Sequence, residues 1–101
     1  MQEKIARLPR EVDIYMRQQL REMLSIDDCR LLVIDLRDTR YIDGASIGEI
    51  VRARNLALTD GKKVMVLLNK ASPIVKVFRV VQLFDILDVR LCDDRESSNC
   101  A

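Results

Sequence analysis

The sequence predicts an α/β domain in which helices pack on a sheet that is at least partly parallel. Two apolar runs, "RLLVIDL" at 30–36 and "KVMVLL" at 63–68, are typical of buried strands, and the first has the pattern of a central strand covered on both faces. Helix-like segments separate the strand-like ones, and the connections are too long for hairpins. With 101 residues, 49% of them hydrophobic, the chain has room for one small core.

The first half of the chain predicts a strand, a helix and a buried strand, in that order. Residues 4–8, "KIARL", alternate in polarity before Pro9, which favours a strand at a sheet edge. Residues 13–24 place apolar side chains at helical spacing, with either Tyr15 or Met16 on the buried side, and begin with an aspartate suited to a helix start. The run 30–36 then follows.

The second half predicts helix, strand, helix and strand. Residues 46–63, "SIGEIVRARNLALTDGKK", have broadly helical apolar spacing, and Gly61 is a stop signal. After the strand at 63–68, "NKASP" predicts a turn that opens a helix near Pro73, and "ILDVRL" at 86–91 predicts a last short strand. We therefore expect a single domain over 1–101, with its core at about 4–91 and a flexible polar tail at 92–101.

Charge and composition exclude several classes of function. The 17 basic and 16 acidic side chains leave a net charge of +1, which gives no field for gathering nucleic acid or an anionic membrane. Two Tyr, two Phe and no Trp offer few rings for base stacking. No apolar run approaches the roughly 20 residues that cross a bilayer, and the first dozen residues do not resemble a signal peptide. We expect a soluble cytoplasmic protein that binds no nucleic acid and does not insert into membranes.

Residues for catalysis or for a metal site are missing from the sequence. There is no histidine and no glycine-rich phosphate loop, and Ser46 has no base partner in the pattern. Cys29, Cys92 and Cys100 are widely spaced, which favours structural roles. Acids at strand ends and turns favour caps over a cation site. We expect no enzyme activity, no cofactor and no metal.

The stretch "RYIDGASIGE" at 40–49 stands where a strand stops and a helix begins. Asp43 is suited to accept hydrogen bonds from the free amides of the first helical turn. Gly44 allows a tight turn, and the hydroxyl of Ser46 is either exposed or bonded to the local backbone. These residues alone favour a capped helix start over a binding role, although functional loops usually follow the carboxyl ends of parallel strands.

The segment "VIDLRDTRYIDGASIGEIVRA" at 33–53 resembles the centre of STAS domains, a family that includes bacterial anti-sigma factor antagonists. There, a strand ending in Asp-Leu precedes a loop and the pattern Ile-Asp-Ser-Ser/Thr-Gly-Leu-Gly, which at 42–48 reads Ile-Asp-Gly-Ala-Ser-Ile-Gly. Upstream, "EVDIYMRQQLREML" resembles the family's first helix, with Asp13 on the family's aspartate. Downstream, "DGKKVMVLLNKASPIVKVFRVVQLFDIL" resembles the next strand and the Ser-Pro helix start. The resemblance covers about residues 5–91.

The resemblance implies a STAS-like fold, with a mixed sheet of four to five strands and helices packed on it. It implies a protein-interaction domain of bacterial transcription regulation, an antagonist that binds an anti-sigma factor, commonly a serine kinase, and so releases a sigma factor. The family's first edge strand has no counterpart before "KIARL". A missing edge strand leaves backbone groups unpaired, so a homodimer is an open alternative.

The family's phosphoacceptor position is occupied here by Ala45, which cannot be phosphorylated. The nearest hydroxyl, on Ser46, is displaced by one residue, or about 100° of helical rotation. Three alternatives stay open: a constitutive antagonist, a switch moved to Ser46 or Thr39, or a scaffold or subunit of a larger signalling or membrane-transport complex. We rank them in that order.

Partner binding is expected on the loop and on the exposed side of the helix after it, including Glu49 and Arg52. Arginines near the loop, such as Arg37 and Arg40, are either a solvated surface or a patch that steers an acidic partner, and the first is slightly favoured. The full set of expected binding residues is Asp13, Arg40, Asp43, Gly44, Ala45, Ser46, Glu49 and Arg52.

Overall fold

The computed structural model describes residues 2–26 and 29–93, and they form an α/β fold as predicted. The elements in chain order are β1 (Glu3–Arg7), β2 (Glu11–Val12), a 3-10 turn (Ile14–Met16), α1 (Arg17–Met23), β3 (Leu31–Asp35), β4 (Tyr41–Ile42), α2 (Gly44–Thr59), β5 (Lys63–Asn69), α3 (Ile74–Val80), a second 3-10 turn (Leu83–Asp85) and β6 (Asp88–Cys92).

The main sheet has four strands in the order β1-β3-β5-β6, and each neighbouring pair is parallel. A helix lies in every connection between these strands, which is what parallel neighbours require. The expectation of a mixed sheet is therefore wrong for the described part of the chain. A separate two-stranded ladder joins β2 to β4, also in parallel.

The hydrophobic core lies on one face of the main sheet. Leu32 and Ile34 of β3 and Val66 of β5 are fully buried there, in one cluster with the inward side chains of all three helices. Val33, which points to the opposite face, is buried but lies outside that cluster. β3 is buried on both faces, as its apolar run predicts, since Val33 and Asp35 are 8% and 3% exposed, whereas Ile5 beside Val33 on β1 is 54% exposed.

The predicted element borders hold with small shifts. Gly61 adopts a φ of 71° after α2, as its role as a stop signal requires. The last strand begins later than predicted because Leu87 donates its N–H to the carbonyl oxygen of Leu83 and continues a turn. Of the predicted tail, Cys92 belongs to β6 and is buried, whereas 94–101 lies outside the described residues. None of the helices in the described segments is long and apolar enough to span a bilayer.

Candidate functional site

Asp43 joins two segments of the chain at the start of α2. One carboxylate oxygen, Oδ1, accepts a hydrogen bond from the N–H of Ser46 at 2.9 Å, which caps the helix. The other, Oδ2, accepts from the N–H of Ile14 at 2.9 Å. The pKa of Asp43 is lowered, first by the Ser46 side chain and then by the N–H groups of Ser46 and Ile14. The expected capping role of Asp43 is confirmed, and the link to Ile14 adds a second one.

The short ladder between β2 and β4 sets these two segments side by side. Val12 pairs with Ile42, and the carbonyl oxygen of Val12 accepts a hydrogen bond from the N–H of Asp43 at 3.2 Å. Asp13 follows directly and caps the 3-10 turn, because its Oδ1 accepts from the N–H of Tyr15 at 3.0 Å. Asp13 and Asp43, which are distant in sequence, therefore anchor one surface.

That surface is exposed and carries an aromatic side chain beside small residues. Tyr15 is 94% exposed, Ile14 is 37% exposed, and Gly44 and Ala45 are exposed at the helix start. The sequence left open whether Tyr15 or Met16 lies on the buried side of this segment. Met16 does, because it packs against the core. We call the set Asp13, Ile14, Tyr15, Asp43, Gly44 and Ala45 the Asp43 face.

Both hydroxyls considered for phosphorylation are buried. Ser46 is 1% exposed, and among the described residues no hydrogen bond of good geometry reaches its Oγ. Thr39 is fully buried, and its Oγ1 donates to the carbonyl oxygen of Pro9 at 2.8 Å. The Ser72 hydroxyl donates to the Thr39 carbonyl oxygen at 3.1 Å, which fixes the same loop from the other side. In this fold, neither the Ser46 nor the Thr39 hydroxyl is accessible to attack the γ-phosphate of ATP held by a kinase.

The prediction that Glu49 lies on the exposed side of α2 is wrong. Glu49 is 7% exposed, and Arg21 of α1 donates to it from Nε at 3.0 Å and from Nη2 at 3.2 Å. Arg17 adds a contact of 3.5 Å. The pKa of Glu49 is lowered, mainly by the hydrogen bonds from Arg21 and then by the surrounding arginines. The reason for the error is that α1 packs over this side of α2.

A groove of about 390 Å³ runs between α1 and α2 beside Glu49. Leu24, Ile26 and Leu56 line it, together with the half-exposed Arg21 and the exposed Arg52. Arg52 is therefore at the surface, as expected, and it lies at this groove. Arg21 and Arg52 are balanced by Glu49 and Asp60 among the lining residues, so the groove carries no net charge.

Asp35 and Arg37 form an ion pair for which the sequence carries no local signal. Asp35 is 3% exposed, and Arg37 donates to it from Nε at 3.0 Å, from Nη2 at 2.9 Å and from its backbone N–H at 3.0 Å. Burial opposes ionisation of Asp35, but the hydrogen bonds and charge of Arg37, with the charge of Arg7, outweigh it and lower the pKa. Arg37 is thus a structural residue, whereas Arg40 is exposed beside the Asp43 face.

Within 2–26 and 29–93, no group of three or more His, Cys, Asp or Glu side chains is placed to hold a metal ion. In a comparison with known protein families, no family model matches the chain. The Asp43 face offers exposed aromatic and apolar contacts on a fixed backbone, an arrangement suited to contact with another protein.

Proposed function

We propose that this chain is a STAS-like protein-interaction domain that acts as an anti-sigma factor antagonist, with the Asp43 face as its binding surface. It would bind an anti-sigma factor and so release a sigma factor. The observation that carries the proposal is the pair of hydrogen bonds from Ser46 and Ile14 to Asp43, because it holds Tyr15 beside Gly44 and Ala45. Exposed tyrosines beside small residues are the kind of anchor on which protein interfaces depend.

Small residues at the helix start favour a closely packed partner. Gly44 and Ala45 present almost no side chain, and apart from the adjoining residues and the backbone of α2 itself no atom lies within 4 Å of where a Cβ on Gly44 would stand. A partner's backbone is therefore free to approach the first turn of α2, while Tyr15 contributes apolar area beside it. We therefore expect a charged side chain at position 45 to prevent formation of the complex.

The burial of the neighbouring hydroxyls favours the constitutive form of this function. A phosphoryl group adds about 1.5 to 2 negative charges and needs an accessible oxygen, whereas Ser46 and Thr39 are buried. With alanine at position 45 and no exposed hydroxyl on the Asp43 face except that of Tyr15, the complex would not be dissolved by a serine kinase. We therefore rank the constitutive antagonist above the displaced switch.

The charged side chains around the face indicate an acidic partner. Arg40 is exposed beside the face, and Arg52 is exposed further along α2 at the groove. Charges at the rim of an interface mainly raise the rate of association and favour the right partner. A partner with carboxylates around an apolar patch fits this arrangement best.

The test is binding to candidate anti-sigma kinases encoded in the same genome, with and without Mg-ATP, followed by co-elution and intact mass. We expect a complex that survives ATP without added phosphate. Ala45→Asp and Tyr15→Ala should each weaken it at least about tenfold. Asn55→Asp, an exposed position on α2 about 15 Å further along, adds the same charge and serves as the control.

Two outcomes would count against the proposal: unchanged affinity of Ala45→Asp, or no complex with any candidate kinase. The second outcome would favour the alternative function, a STAS scaffold or a subunit of a larger signalling or membrane-transport complex. The specific observation in its favour is that β1 and β6 are both edge strands, with room for further pairing. A stable assembly of many copies would support the scaffold, whereas a monomer or dimer would fit the antagonist.

A further inference from the structure

β1 leaves one row of backbone groups without partners. The strand is at the edge of the sheet and pairs only with β3. The carbonyl oxygen of Gln2 accepts from Arg30, and the N–H of Leu8 donates to Asp35, so the even-numbered residues of this segment face β3. Backbone groups alternate in direction along a strand, so those of Glu3, Ile5 and Arg7 point away from the sheet. No hydrogen bond from the described residues reaches them.

The side chains of the same three residues are exposed. Ile5 is 54% exposed, and Arg7 keeps 67% of its side chain accessible although its Nε lies 3.4 Å from Asp35. Glu3 is exposed at the other end of the strand. By the alternation of a strand, all three side chains lie on the sheet face opposite the helices, because Ala6 between them is buried in the core. An isoleucine at a free edge therefore stands between an acid and a base.

We propose that β1 pairs in antiparallel fashion with β1 of a second copy of this chain, about a two-fold axis that passes beside Ile5. In this register Ile5 faces Ile5, and the Glu3 of each copy faces the Arg7 of the other. The outward N–H and C=O groups of Glu3, Ile5 and Arg7 then meet their equivalents as hydrogen-bonded pairs. The two four-stranded sheets become one continuous sheet.

The sequence of β1 favours this register over its neighbours. Centring the pair on Glu3 or on Arg7 would set two like charges against each other, which is destabilising. Registers centred on Lys4 or Ala6 would lose both contacts between Glu3 of one copy and Arg7 of the other. An edge strand with charges of only one sign would repel a second copy, as the charged edges of many sheets do. In β1, by contrast, antiparallel pairing of the order Glu3, Ile5, Arg7 with itself sets each acid opposite a base. The ladder is short, so we expect a reversible dimer in the micromolar range of dissociation constants.

The test uses the full chain and measures mass against concentration by sedimentation. Glu3→Arg and Arg7→Glu alone should each weaken the dimer at least about tenfold, because each homodimer then holds two like-charge pairs. An equimolar mixture of the two variants should form a heterodimer about as tightly as the wild type, since every charged pair is opposite again. Ile5→Pro removes an N–H that faces solvent in the single copy, and it should abolish the dimer while the melting temperature changes little.

The mixture separates a lost interface from a damaged fold. Arg7→Glu sets a carboxylate near Asp35 and is expected to lower stability, but mixing with Glu3→Arg cannot repair a folding defect. Ala45→Asp should leave the dimer unchanged, because no residue of the Asp43 face belongs to β1 or pairs with it, so this inference and the proposed function stand or fall separately. A wild-type chain that stays monomeric up to hundreds of micromolar, single variants that dimerise like the wild type, or a mixture that remains monomeric would each overturn the proposal.

Discussion

The carboxylate of Asp43 accepts a hydrogen bond from the N–H of Ile14 at 2.9 Å, across 29 positions of sequence. The same carboxylate caps α2 through the N–H of Ser46. One side chain therefore fixes both the start of a helix and the turn that carries Tyr15. The geometry of the proposed binding surface depends on both oxygens, and this dependence can be measured.

We expect Asp43→Asn and Asp43→Ala to separate the two roles of Asp43. The asparagine keeps one acceptor oxygen for Ser46, but its amide nitrogen cannot accept from Ile14. We expect a loss of unfolding free energy of about 1 kcal/mol for asparagine and about 2 kcal/mol for alanine. Denaturant unfolding measures both, and partner binding should fall for both. Equal stability of the two variants would contradict the division of roles.

The stability of the protein should fall at acidic pH because the pKa values of Asp35, Asp43 and Glu49 are all lowered by folding. Unfolded carboxyl groups titrate near about pH 4. As the pH falls from that value towards the lower pKa values of the folded state, the unfolded chain binds protons that the folded chain does not. Unfolding is therefore favoured as the pH falls. Between about pH 5 and 7 these three groups should contribute no pH dependence.

Asp35→Asn tests the most deeply buried carboxylate of this set. It should cost about 2 kcal/mol at neutral pH, because hydrogen bonds to a buried charge are lost, and it should flatten the acid side of the stability curve. Asp88→Asn is the matched control: Asp88 is exposed, and its loss should change stability by about 0.5 kcal/mol or less. An unchanged acid slope in Asp35→Asn would show that this ion pair does not govern the acid response.

Phosphate should not appear on Ser46 or Thr39 when the folded protein is incubated with a serine kinase and Mg-ATP. Both hydroxyl groups are buried, so transfer would require local opening. As a second readout, Ser46→Asp should destabilise the fold by a few kcal/mol, because it buries a charge beside Asp43. Ser46→Ala should change stability much less than Ser46→Asp, because it introduces no buried charge and removes an Oγ that makes no well-formed hydrogen bond. Phosphopeptide mass spectrometry that finds either site occupied would reverse our ranking of the alternatives.

The strands and helices with strong local patterns could be predicted from sequence. The apolar run of β3 and the boundaries of α2 at Asp43 and Gly61 depend on local preferences, which act whatever the rest of the chain does. The β2–β4 ladder was missed because strands of two residues carry no periodicity. Without that ladder, nothing in the sequence brings Ile14 to Asp43.

The candidate site could be predicted only where a residue acts within its own segment. Asp13 and Asp43 do so as caps, and both expectations hold. The prediction for Glu49 is wrong because its environment is set by the packing of α1. No local pattern in the sequence indicates which side of α2 that helix covers. Arg37 was read as a surface charge because the burial of Asp35, on which its pairing depends, is a tertiary property.

The exposure of Tyr15 has a consequence for the entropy of binding. Its ring is almost wholly in water, yet the backbone beneath it is held by Asp13 on one side and, through Ile14, by Asp43 on the other. The conformational freedom of that backbone is already lost when the chain folds, so a partner has only the side-chain torsions of Tyr15 left to fix. A surface of this kind can bind through a small contact area without first having to order itself.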